Sequence, residues 1–132
     1  NIIMIDDEES ILEAYASLLV GSEISVKTIN NPLKAIEYIK NHSVDVIISD
    51  ITMPEMSGID FFKKIKNDMK YSGIFIFITG FWKKEFDYLL KEGVSKVFTK
   101  PLSHHDLLEF LSGFLQKTSD PEEGGTSGYA DS

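Results

Sequence analysis

Five short apolar runs recur along the chain, each followed by a stretch with helical spacing, and this alternation constrains the fold more than any other feature. The runs are Ile2–Ile5, Ile24–Ile29, Val44–Ser49, Ile74–Thr79 and Lys96–Thr99. Most are rich in Ile, Val and Phe without polar alternation, the pattern of strands buried on both faces. The second differs. Ser25 and Lys27 alternate there with Ile24 and Val26, as expected of a strand at a sheet edge.

The intervening segments carry helix signals. The first, about 9–20, places Leu12, Tyr15, Leu18 and Leu19 on one face and stops before Gly21. The second opens on Asn31-Pro32, an N-cap followed by proline at the first helical position, with Leu33, Ile36 and Ile39 directed inward. The third starts at Ser57, has Asp60 three residues on, and is expected to bury Ile59, Phe62 and Ile65. A fourth runs over about 83–92 and stops at Gly93. The fifth is capped by Ser103 and turns Leu107, Phe110, Leu111 and Phe114 inward. Parallel neighbours need a crossover, so strand alternating with helix five times predicts an α/β fold with a parallel sheet covered on both faces. Right-handed crossovers place two helices on one face and three on the other.

The 132 residues suit one domain. Its expected bounds are 1–116, with 117–132 a polar tail or linker remnant of Ser, Gly, Asp and Glu. Cysteine is absent, which excludes a disulfide framework, a thiolate metal site and a thiol nucleophile together. No apolar run is long enough to span a bilayer and no secretory signal opens the chain, so the expectation is a cytoplasmic protein without membrane contact. A net charge of −8 argues against direct nucleic-acid binding and for divalent cations or partners with basic faces.

The placement of polar residues then points to a site. Asp6 and Asp7 follow the first strand, Asp50 the third and Lys100 the fifth, while Thr79 ends the fourth. All lie at carboxyl ends, the edge where open parallel α/β sheets bind ligands. Singly, each has a plainer explanation: a helix-dipole partner for Asp6-Asp7, a turn residue for Asp50, a loop hydroxyl for Thr79, a solvated cation for Lys100. Independent caps and turns have no reason to share one edge.

Two carboxylates about 4 Å apart repel by roughly 4 kcal/mol at an effective dielectric near 20, so three of them call for a proton or a cation. Magnesium suits such a site, since it takes oxygen ligands and works with few carboxylates alongside phosphate. A carboxylate can also act as nucleophile toward a phosphoryl group. Lys100 would then neutralise its oxygens, and the Thr79 hydroxyl could hydrogen-bond it.

Asp6-Asp7, the stretch Asp50-Ile-Thr-Met-Pro-Glu-Met-Ser-Gly58, Ile-Thr79-Gly, and Phe-Thr-Lys100-Pro101 together resemble the receiver domain of two-component response regulators, over about residues 1–116. The resemblance implies a flavodoxin-like (CheY-like) three-layer sandwich with strand order 2-1-3-4-5. It implies Asp50 as phosphorylation site, with Asp7, Asp50 and the Thr52 backbone carbonyl on Mg2+ and Asp6 in support. Thr79 and Lys100 become the switch hydroxyl and phosphate-binding lysine, and Lys100-Pro101 a cis peptide. The implied donor is a phosphohistidine on a sensor histidine kinase or histidine phosphotransfer protein. The face of helix four, strand five and helix five is the expected output, including phosphorylation-dependent dimers. Receivers often carry Tyr or Phe three residues before the lysine. That position is Val97 here, and Phe98 has the opposite strand parity, so no aromatic rotamer readout is expected. Phe81, two residues past Thr79, is placed to shield the phosphoryl group from water.

Two rivals make different demands. A haloacid-dehalogenase-type phosphatase resembles Asp-x-Asp, but Thr52 occupies the position of the second, acid-base carboxylate. A pseudo-receiver that only binds partners should have lost some of the five polar positions, and all five are present. A phosphoacceptor rather than a turnover enzyme is the expectation.

Overall fold

The computed structural model describes residues 1–18, 26–80, 87–99, 105–106 and 109–113, with the backbone alone at 15 and 18. Five strands form one sheet: β1 (Ile2–Ile5), β2 (Val26–Ile29), β3 (Val46–Asp50), β4 (Ile74–Thr79) and β5 (Lys96–Thr99). Every pairing is parallel and the order is β2-β1-β3-β4-β5. Four helices alternate with them: α1 (Glu9–Leu18), α2 (Pro32–Asn41), α3 (Gly58–Asn67) and α4 (Asp87–Lys91). This is the flavodoxin-like arrangement, and β2 lies at an edge as its alternating residues require.

Strand residues of one parity build most of the core. Ile3, Ile5, Ile47, Phe75 and Phe77 join Ala35 and Ile36 of α2, Phe61, Phe62 and Ile65 of α3, and Leu89 of α4 in one buried cluster. Three helices therefore share this face. Its aromatic rings meet edge to face, Phe62 against Phe75 and Phe75 against Phe77, both with centroids 4.9 Å apart. Residues of the other parity, Ile2, Met4, Val46, Ile48, Ile76 and Ile78, are also buried. A sheet covered on both sides explains why its strands lack polar alternation.

The expected helix starts hold in detail. Asn31 caps α2, its side chain accepting from the Leu33 and Lys34 amides, and Ser57 caps α3 by accepting from the Asp60 amide at 3.1 Å. Gly93, at φ 117°, ends α4 in the left-handed region that a residue without Cβ enters freely.

Three expectations need correction. Leu33 is 53% exposed, not inward; the buried stripe of α2 is Pro32, Ala35 and Ile36, with Ile39 packed partly against it. One residue of helical rotation, about 100°, separates Leu33 from that stripe. In α3, Phe61 is fully buried whereas Ile59 is only half-buried. The third strand begins two residues later than expected and includes Asp50, which still pairs with Ile78 of β4.

Residues 105, 106 and 109–113 are helical, consistent with a fifth helix, and His105 lies 3.8 Å from Glu109 one turn on. The Ser103 cap, Lys100-Pro101, Phe81, Trp82, Leu107, Phe114, the residues around Gly21 and the 117–132 tail lie outside the described residues. No helix among the described residues is long and apolar enough to cross a membrane.

Candidate functional site

The site is built where β1 and β3 end side by side. β1 stops at Ile5, and the next amide, Asp6, donates to the Ile29 carbonyl of β2 at 3.3 Å, extending the sheet by one rung. Asp6 is 5% exposed and one of its carboxylate oxygens accepts from the Glu8 amide at 2.9 Å. That bond turns the chain into α1, whose first turn is held by the Glu8 carbonyl accepting from Ile11 and Leu12. The turn leaves Asp7 in solvent.

Asp50 is half-buried as the last residue of β3. Its Oδ1 accepts from the Thr52 amide at 3.4 Å, so the carboxylate folds back over the turn that follows. Two further contacts shape this turn. Gly58 donates to the Ile51 carbonyl at 2.6 Å, and Ser49 Oγ donates to the Asp50 carbonyl at 2.8 Å. A Cβ on Gly58 would overlap the Asp50 carbonyl oxygen and stand 2.8 Å from Ile51 Cα, so α3 reaches this position only with glycine at its start.

Asp6, Asp7 and Asp50 converge. One carboxylate oxygen from each lies within 4.8 Å of the other two. Oxygens around a single Mg2+ are separated by roughly 3–4 Å, given metal–oxygen distances near 2.1 Å, so small side-chain rotations would close the cluster on such an ion. The donors are all hard oxygens, and one is buried while another is open to solvent. That combination fits a cation that keeps some of its water. Without a cation the carboxylates repel at this spacing.

Thr79, 2% exposed, ends β4 one step beyond Ile78, the register partner of Asp50, and pairs with Thr99. It therefore stands on the strand next to Asp50 at the same sheet edge. Thr52 is exposed. Lys100 lies outside the described residues, directly after Thr99 of β5. Val97 is half-buried against the main core cluster, while Phe98, of the opposite parity, lies under the Lys96 ammonium, 5.6 Å from ring centroid to nitrogen. No aromatic ring occupies the inner position of β5 near Thr79.

Sequence pattern offers no sign of Ser49, which sits in an apolar strand like any small filler, and Gly58 enters there only as the last residue of the stretch that begins at Asp50. Their roles become visible only through the carbonyls they touch.

A five-stranded parallel sheet of order 2-1-3-4-5 with clustered carboxylates at its carboxyl edge defines the receiver class of signalling domains. Residues 2–112 match the family model of the response regulator receiver domain, and the chain belongs to that family, whose members serve two-component systems. It is similar to the polar-differentiation response regulator DivK of Brucella anthropi, at 26% identity over 87% of this chain and 95% of the relative. A transcriptional regulatory protein of Haemophilus influenzae, a CpxR homologue, is 25% identical over 91% of this chain. This chain spans only 52% of that regulator's length. Among solved structures, a receiver domain protein from Clostridium thermocellum superposes with a TM-score of 0.75 at 28% identity, covering 89% of this chain and 95% of the other.

Proposed function

We propose that this domain accepts a phosphoryl group on Asp50 from a phosphohistidine of a sensor histidine kinase or histidine phosphotransfer protein, in a Mg2+-dependent reaction. The observation that carries the reading is the convergence of Asp6, Asp7 and Asp50 within 4.8 Å. Asp50 is the half-buried member, open enough to meet a donor and held by the Thr52 amide. Its carboxylate oxygen attacks phosphorus in line with the departing imidazole nitrogen. Asp7, Asp50 and the Thr52 backbone carbonyl would hold the ion, with Asp6 behind them. Mg2+, when bound, supplies neutralisation of charge on the phosphoryl oxygens. Thr79 offers a hydroxyl, and Lys100 an ammonium, to those same oxygens.

Phosphorylation is read out by a shift between two packings that involve α4 and β5. Val97 makes that readout independent of an aromatic rotamer on β5. The domain is a phosphoacceptor that assists its own phosphorylation and dephosphorylation, not a turnover phosphatase: Thr52 has no carboxyl group with which to act as acid and base. The receiver extends over 1–116, which the matched range of 2–112 supports.

Intact mass after treatment with acetyl phosphate and Mg2+ tests the reading. A gain of about 80 Da in the parent, the mass of one phosphoryl group, and none in Asp50→Asn is expected for a carboxylate nucleophile. An unchanged parent mass would remove the proposal.

A further inference from the structure

We propose that Ser49 is a positioning residue for the cation site, fixing the path of the turn that delivers the Asp50 carboxylate and the Thr52 carbonyl. The inference rests on reading those two groups as ligands. Ser49 is 1% exposed, between its register partners Ile5 on β1 and Phe77 on β4. A buried hydroxyl needs a hydrogen-bond partner. Here the single O–H donor is spent on the carbonyl of the next residue, Asp50, at 2.8 Å.

That carbonyl lies where the sheet ladder ends. Beyond it the chain must leave β3, present Thr52 to solvent and return to the buried start of α3. Two successive carbonyls before Thr52 are held: Asp50 O by the Ser49 hydroxyl, and Ile51 O by the Gly58 amide at 2.6 Å. The missing Cβ of Gly58 lets α3 close over the first of them. Together these contacts set the orientation of both peptide planes. The Asp50 side chain leaves the backbone at the start of the first plane and the Thr52 carbonyl belongs to the peptide directly after the second, so the path of the turn constrains their separation. Removing the hydroxyl frees the first plane while deleting no ligand.

Groups behind a ligand commonly govern metal affinity by 10–100-fold when they touch the ligand itself. Ser49 acts one step further back, through the backbone, and the expected loss is about 3–10-fold. The test measures Mg2+ affinity by isothermal titration for the parent, Ser49→Ala and Ser49→Thr, together with the metal-free unfolding midpoint and amide exchange at Thr52 and Gly58. Expected are weakened Mg2+ binding and faster exchange at both amides in Ser49→Ala, with affinity near the parent's in Ser49→Thr, which keeps the hydroxyl. Equal affinity in Ser49→Ala and parent overturns the inference. So does equal weakening in the alanine and threonine variants, because packing rather than the hydroxyl would then be responsible. A parent that binds no Mg2+ overturns the reading of the site itself, and is recognised by the parent curve alone.

Discussion

Lys66, in the last turn of α3, places its ammonium on the carbonyl of Glu92, just beyond the end of α4, with the Phe62 ring 5.6 Å below. The Glu92 amide donates to the Tyr88 and Leu89 carbonyls, and the Val94 amide to Leu89. One lysine thus supplies positive charge where the backbone of a short helix leaves carbonyls unpaired. Because Lys66 is exposed, the contribution is modest. Lys66→Met is expected to cost about 0.5 kcal/mol. Chemical denaturation at low and high salt checks this, with the difference from parent shrinking as salt rises.

Gly58→Ala is expected to be far more damaging than Gly80→Ala. A Cβ at Gly58 meets backbone on two sides and Phe77 Cε1 at 2.9 Å, whereas at Gly80 nothing stands within 4 Å. Overpacking of this kind costs roughly 1–3 kcal/mol, while an unobstructed surface change stays within about 0.5 kcal/mol. Unfolding midpoints of the two variants decide it.

Asp50→Asn is expected to raise stability in the absence of divalent ions. It removes one of three mutually repelling charges while keeping a polar side chain of the same shape. With Asp7 open to solvent, screening limits the gain to the order of 1 kcal/mol. Millimolar Mg2+ should reverse the ranking if Asp50 is an ion ligand as proposed, because the parent then binds the ion more tightly. Thermal melts with EDTA and with Mg2+ measure both parts.

Tyr71 governs alkaline stability. Burial, and then the nearby charge of Asp45, push its hydroxyl well above its ordinary value of 10.0. Its hydroxyl donates to the Ile74 carbonyl at 2.7 Å, a bond that the ionised form cannot make. With the folded value raised, the proton is released more readily in the unfolded chain. The stabilisation is therefore full below pH 10 and is lost progressively as pH rises above it. Tyr71→Phe is expected to cost about 1 kcal/mol at pH 7 and to flatten the decline above pH 10, as followed by urea unfolding across pH.

Much of the architecture was legible because burial on both faces writes itself as uninterrupted Ile, Val and Phe, and because Asn31, Ser57 and Gly93 announce helix ends by local chemistry. The edge position of β2 showed in Lys27 for the same reason. Leu33 was misleading: hydrophobicity does not reveal helix rotation when Ala35, small and fully buried, supplies the contact. Asp50 read as a residue after its strand, since a carboxylate ordinarily breaks a buried run, yet its backbone keeps the ladder while its carboxylate accepts from the Thr52 amide of the turn that follows. The carboxylates of the site could be found from their common position after strands. Ser49 and Lys66 could not, because each acts on a backbone carbonyl, and carbonyls are identical at every residue.

Phe77 touches the space above Gly58, and its ring leads on to Phe75 and Phe62. Ring currents make the magnetic environment of such a stack sensitive to displacements of a fraction of an ångström. Events at Asp50 thereby come with a built-in spectroscopic reporter: unlabelled aromatic resonances from the heart of the sheet would register a moved carbonyl without any probe attached to the site.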